Sequence, residues 1–145
     1  MEQRPTVFQP YNLRRIDDFI NELQEAIDTG DADLFNKRFA KDVLWGSPFA
    51  AIVSGYDQIH AIHERMFSAV KAGQNKSIYK IDYAGFLAKN VAVAYVRRTS
   101  SPPNYAKDAE GGFDELAIFI LVYKNKSWWL AAAQHVPDRR NVYIS

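Results

Sequence analysis

From Leu13 onward the apolar positions Ile16, Phe19, Ile20, Leu23 and Ile27 recur at helical spacing among charged neighbours, the pattern of a helix that buries one stripe. Thr29-Gly30-Asp31 closes it. Glycine suits the left-handed position after a helix, and Asp31 suits the N-cap of the next one. That second helix is short, with Leu34, Phe35 and Phe39 as its apolar face. Val43 to Trp45 reads as a strand ended by Gly46-Ser47-Pro48, and Ala51 to Val53 as another ended by Ser54-Gly55. A third helix is predicted over 56–71, with Ile59, Ile62, His63, Met66, Phe67 and Val70 on one face. After Gly73 the helical period gives way to four segments rich in β-branched and aromatic residues, 77–87, 91–99, 115–123 and 127–135, which predict strands. Asn90 and Asn125 mark turns between them, and the connection from Ser100 to Phe113, with Pro102-Pro103 and Gly111-Gly112, reads as a mobile loop.

Helices grouped in the first half and consecutive antiparallel strands in the second indicate an α+β domain rather than a doubly wound sheet. Residues 1–12 hold two prolines and no periodicity, so they read as an extended arm; 13–137 form one domain and 138–145 a tail. Three strands, Val91–Val96, Leu116–Tyr123 and Trp128–Ala133, are apolar on both faces, whereas an antiparallel sheet with one wet face alternates. Helices cover one side only, so the expected cover for the other is a second copy in a C2 homodimer through the sheet backs. The alternative is that the arm and tail fold over it.

Composition removes whole classes of function. Eighteen basic residues oppose seventeen acidic ones, without the concentrated basic footprint that nucleic-acid binding needs. The chain has no cysteine, which excludes disulfides, thiol catalysis and cysteine metal sites. The longest apolar run, Leu116–Tyr123, has eight residues and is too short to span a bilayer. The N-terminal residues show no signal-peptide pattern, so the expected address is cytoplasmic, with no membrane partner. No glycine-rich nucleotide loop is present, and no cofactor is expected.

Gly30-Asp31, Phe39-Ala40-x-Asp42, Pro48, Gly55-x-x-x-Ile59-x-x-x-His63-x-x-x-Phe67 and Trp128-x-Leu130-Ala131-Ala132 together resemble the nuclear-transport-factor-2-like superfamily, nearest its SnoaL-like and SgcJ/EcaC branches. The resemblance runs from Leu13 to Pro137. It implies a strongly curved antiparallel sheet wrapped around a long first helix, a cone with a ligand pocket at its open end, and dimerisation through the sheet. The superfamily hosts isomerases, cyclases, dehydratases and noncatalytic domains, so the fold leaves function open. A ketosteroid isomerase needs an aspartate base with a tyrosine and a second, protonated aspartate at the oxyanion. The resemblance places Ser47 at the base position, Leu23 near the tyrosine and Phe119 near the second aspartate, so that activity is not expected.

The remaining chemistry rests on a few side chains. His63 lies inside an apolar stripe, where an imidazole is either an acid–base group or a core histidine satisfied by a carbonyl or hydroxyl. His60 sits at the edge of that stripe and is expected to face solvent. His135 ends the last strand on the face expected to carry Trp129, Ala131 and Ala133. No metal site is expected from the three histidines, because no carboxylate spacing accompanies them. Arg97 shares a strand face with Val91, Val93 and Tyr95, the face that the resemblance turns inward. Its partner is either Glu115, nearly opposite in a hairpin, or a ligand anion. Trp45, Phe49, Phe67, Tyr95 and Trp129 supply aromatic wall, most of it plain core, but Trp45 and Phe49 flank Ser47, and an aromatic-lined cavity with a few polar groups is the usual form of a small-molecule site; Trp128 falls to the dimer side.

Two functions follow. One is a cofactor-independent cyclase, isomerase or dehydratase acting on an apolar or aromatic metabolite, with His63 or His135 as the acid–base group. The other is a noncatalytic ligand-binding or dimeric assembly domain. An open cavity around the histidines favours the first; closed packing against carbonyls favours the second. A third reading makes the chain a regulatory subunit that uses the Ser100–Phe113 loop.

Overall fold

The computed structural model describes residues 3–12, 14–69, 77–100 and 114–140. Val70, Gly73 and the connection 101–113 singled out above lie outside the described residues, as does the end of the tail.

Helix α1 spans Asp17–Thr29 and buries Phe19, Ile20, Leu23 and Ala26. Asp17 and Asp18 in its first turn complement the helix dipole. It ends as its sequence requires: Gly30 takes the left-handed φ of 67°, and its N–H closes on the carbonyls of Ala26 and Ile27. Asp31 caps α2 (Ala32–Asn36), accepting from the Leu34 N–H at 3.0 Å. Phe39 belongs not to that helix but to the first position of β1 (Phe39–Gly46), where it stays in the core. After β2 (Ile52–Ser54), α3 covers Tyr56–Ala69. Its buried stripe is narrower than its apolar pattern: Ile59 and His63 are buried, Phe67 is half-buried and Met66 is exposed.

Strands β3 (Ser77–Ala88), β4 (Val91–Ser100), β5 (Glu115–Lys124) and β6 (Ser127–Pro137) complete a six-stranded curved sheet of order β2-β1-β6-β5-β4-β3. The β5–β6 turn has positive φ at Asn125 (53°) and Lys126 (62°), as a tight hairpin with native twist demands. Neighbouring strands run antiparallel except β1 and β6, which are parallel and bring Phe39 beside Leu130 and Gly46 beside Gln134. That long-range pair joins the first and last strands and fixes two ends of the domain.

The inner face, packed on α1, carries Ala92, Ala94 and Val96 of β4 and Ala117, Phe119 and Leu121 of β5. Phe19 meets Phe119 edge-on at 6.0 Å, tying helix to sheet. Arg97, Tyr95, Val93 and Val91 alternate with these residues and lie on the outer face, which corrects the inward placement that the resemblance implied. The last strand needs a similar correction. The register between β5 and β6 slips after Ile120, so β6 carries one extra residue and its facing parity changes. Trp128 and Leu130 are buried, and beyond the bulge so are Ala133 and His135. Trp128 is therefore a core residue, packed on Phe86 and Tyr123, not a dimer contact. Trp129 points outward with its indole N–H on the Lys124 carbonyl at 2.7 Å, so it does not share a face with His135.

The arm does dock. The Gln9 N–H donates to the Phe86 carbonyl at 2.8 Å, and the Phe8 ring lies where a side chain at Gly85 would stand. Among the described residues its contacts are with Gly85 and Phe86 of β3. Leu44, Ile52, Tyr83, Tyr95, Ile120 and Val136 remain exposed on the outer face. No helix among the described residues is long and apolar enough to cross a membrane.

Candidate functional site

Three elements bring His63, Trp45 and His135 together. Trp45 and His135 come from the parallel β1–β6 pair, and α3 lays His63 across them. The indole of Trp45 lies between the two imidazoles, 5.0 Å from His63 and 4.2 Å from His135 by ring centroid. Phe35 (4.9 Å), Phe39 (6.1 Å) and Phe67 (6.3 Å) complete the wall around His63, and Phe119 stands 6.1 Å from His135. Only 4% of His63 and 6% of His135 is exposed.

Each ring is anchored through one nitrogen. Asn36 donates its amide to the Ala32 carbonyl at 3.0 Å, which turns its Oδ1 toward His63. His63 Nδ1–H donates to that oxygen at 2.7 Å. His135 Nδ1–H donates to the Gly46 carbonyl at 2.8 Å, an acceptor that forces the same tautomer. No partner among the described residues meets Nε2 of either ring. Burial, reinforced by the neighbouring His135 and His60, lowers the His63 pKa to about 3. Burial also lowers that of His135, against the opposing pull of the Gly46 hydrogen bond. Both rings are neutral at physiological pH, and their free nitrogens are acceptors. A base whose conjugate acid titrates near 3 is a weak proton abstractor, because general bases work best near the operating pH.

The other expected residues are elsewhere. The Ser47 hydroxyl accepts the Phe49 and Ala51 N–H groups, both at 3.1 Å; it caps the β1–β2 turn. Phe49 is 55% exposed. Tyr95, Arg97 and Trp129 are on the outer face. The register sets Arg98, not Arg97, opposite Glu115, and the two pair at 3.6 Å. Arg97 instead binds Asp82 at 2.8 Å and Asp138 at 3.1 Å, while Arg140 reaches Asp138 at 3.0 Å. Burial pushes the Asp138 carboxyl upward, but the Arg140 hydrogen bonds and the two arginine charges outweigh it and hold it below the ordinary value. Arg97 is thus a structural cation whose loss would strand carboxylates, not a ligand clamp separable from the fold. Asn36 and Asp138 are the residues that sequence reasoning missed; each acts through a partner distant in the chain, and neither belongs to a motif.

One group of side chains among the described residues stands close enough to hold a cation: Asp33, His60 and Glu64, with ligand atoms within 4.8 Å of one another. Here, though, the ring nitrogens already face the carboxylates, Nε2 at 2.6 Å from Asp33 and Nδ1 at 2.8 Å from Glu64. The arrangement straps α3 to α2, with Tyr56 stacked on His60 at 5.3 Å, and His60 is half-buried rather than free in solvent.

Two cavities among the described residues, of about 470 and 440 Å³, lie by the arm and beside the first turns of α1. Neither is lined by His63, His135 or Trp45. The two imidazoles are packed among aromatic rings.

Known structures match this architecture. A protein of cystatin-like fold from Caulobacter vibrioides superposes with a TM-score of 0.72 at 18% identity, over 88% of this chain and 90% of its own. A nuclear-transport-factor-2-like protein of unknown function from Shewanella oneidensis gives 0.67 at 14%, over 83% and 95%. The chain has the cystatin-like, nuclear-transport-factor-2-like fold. A protein from Thiobacillus denitrificans named for a calcium/calmodulin-dependent protein kinase type II association domain shares that fold, with a TM-score of 0.67 at 16% identity over 88% and 98% of the two chains. No family model and no curated protein matches the sequence.

Proposed function

We propose that this chain is a noncatalytic domain that works by pairing with a second copy of itself through the outer face of its sheet. The observation that carries the reading is the exposed apolar stripe on that face: Leu44 and Ile52, then Val136 and Ile120, then Tyr95 and Tyr83, across five neighbouring strands and the β2 edge. Monomeric proteins rarely leave so extended an apolar surface in water. The cation that interrupts the stripe, Arg97, is neutralised by Asp82 and Asp138, so two copies meet there without like-charge cost. The weak basicity of His63 supports the same reading, because a group that titrates near 3 is poorly matched to proton abstraction near neutral pH. Sedimentation velocity tests it. The wild type is expected to run as a dimer and Ile120→Lys as a folded monomer; a monomeric wild type up to its solubility limit would overturn the proposal.

A second reading is favoured by the two unpartnered Nε2 atoms. A ligand that reaches them meets acceptors on aromatic walls, which suits a neutral ring bearing a hydroxyl and disfavours anions. The check is quenching of tryptophan fluorescence by 2-naphthol but not by 2-naphthoate, with the response lost in His63→Phe. Equal quenching by both, or none, removes the reading.

A further inference from the structure

We infer that the free edge of β3 around Tyr83–Phe86 is a strand-pairing surface held shut by the N-terminal arm, and that the partner it fits is the same edge of a second copy. β3 is the last strand of the sheet, with β4 on one side only. At twelve residues it is a long edge, a row of N–H and C=O groups open to another strand. Its first positions are already taken. The Tyr79 N–H donates to Gln24 Oε1 at 2.8 Å, and Gln24 Nε2 donates to the Ser77 carbonyl at 2.9 Å, so one side-chain amide stands where a strand would pair. The register against β4 then slips between Ile81 and Tyr83 and again between Phe86 and Ala88, and such bulges blunt an edge.

The regular stretch between the two slips is where the arm sits. The Phe86 carbonyl accepts the Gln9 N–H at 2.8 Å. A Cβ at Gly85 would stand 2.6 Å from the Phe8 ring, so the missing side chain is what seats that ring. Pro5 and Pro10 bracket the docked residues; lacking N–H groups, they let the arm close the edge without offering a new one. Under the arm, Tyr83-Ala84-Gly85-Phe86-Leu87-Ala88 carries neither charge nor proline, a composition prone to strand pairing, and two identical copies meet there without like charges opposed. The attachment is light. Phe8 is 51% exposed, and from Gln9 to Asn12 the arm borders a cavity of about 470 Å³ shared with Phe86 and Lys89. The arm and a second β3 compete for the same Phe86 carbonyl, so release of one admits the other.

The test unseats the arm in the full chain. Phe8→Asp removes the seated ring, and Gly85→Ala displaces it with a Cβ; neither removes a backbone group from the edge. Each is compared with its parent by sedimentation velocity, both in the wild type and in Ile120→Lys. Self-association is expected to tighten about tenfold in both backgrounds, with slowed amide exchange at Ala84 and Phe86 on raising the concentration. Adding Leu87→Lys, a charge on the edge, should reverse both effects. Unchanged association, or association without protection at Ala84 and Phe86, would overturn the inference. Each comparison is between chains that differ only at the arm and its seat, so it stands or falls independently of pairing through the outer face.

Discussion

The domain holds two polar clusters, one buried and one partly exposed around a buried carboxylate, that solve the same problem in opposite ways. Around Trp45, His63 and His135 shed their charge: burial lowers both pKa values, and one neutral hydrogen bond anchors each ring. At the sheet margin, Arg97, Asp82, Asp138 and Arg140 keep theirs, because each charge stands within 3.1 Å of an opposite one. Imidazole can discard a proton at little cost, whereas guanidinium cannot, so residue type decides which solution is open. The comparison also warns against reading function from residue type and burial alone: a buried histidine and a half-buried arginine both look like site residues in a sequence, and here both have structural partners.

The largest expected effect is on the charged cluster. Asp138→Ala removes a fully buried carboxylate and leaves Arg97 half-paired, which should cost about 3–5 kcal/mol in urea unfolding. A loss below about 1 kcal/mol would make the network an ordinary surface pair. The neutral cluster should be more forgiving. His63→Phe keeps the ring packing but strands Asn36 Oδ1, for about 1–3 kcal/mol.

Acid separates the two clusters by pH window. His63 titrates near 3 in the fold and at the ordinary 6.5 when unfolded, so the unfolded chain takes up the proton first. Its contribution is complete above 6.5 and is lost as pH falls toward 3, at up to about 1.4 kcal/mol per pH unit. His135 shifts in the same direction and adds to the slope. Asp138 is held below its ordinary 3.8, so its contribution is kept while His63 loses most of its own and fades only as pH falls below that value. In His63→Phe the decline between 6.5 and 4 should flatten; an unchanged slope would show that other groups set it. The smallest effect is reserved for the half-exposed Arg98–Glu115 pair, where Glu115→Gln should cost about 0–1 kcal/mol.

The half-burial of Phe67 shows how far helical pattern carries. A fully buried phenylalanine costs about 3–5 kcal/mol when cut to alanine; Phe67→Ala should fall below that range. The pattern located α3 correctly and identified its apolar face, yet the width of the buried stripe depends on what the rest of the chain lays against it.

Local physics made much of this protein legible in its sequence. The apolar stripe of α1, the left-handed Gly30, the Asp31 cap and the change from helical to extended period each depend on residues a few positions apart, and so does the α+β order they imply. Facing and partnership were decided only in three dimensions. One extra residue in β6 reversed which tryptophan enters the core, Arg97 found Asp138 across 41 positions, and His63 found Asn36 across 27. Such pairings are set by strand register and helix docking, which no short window of sequence encodes.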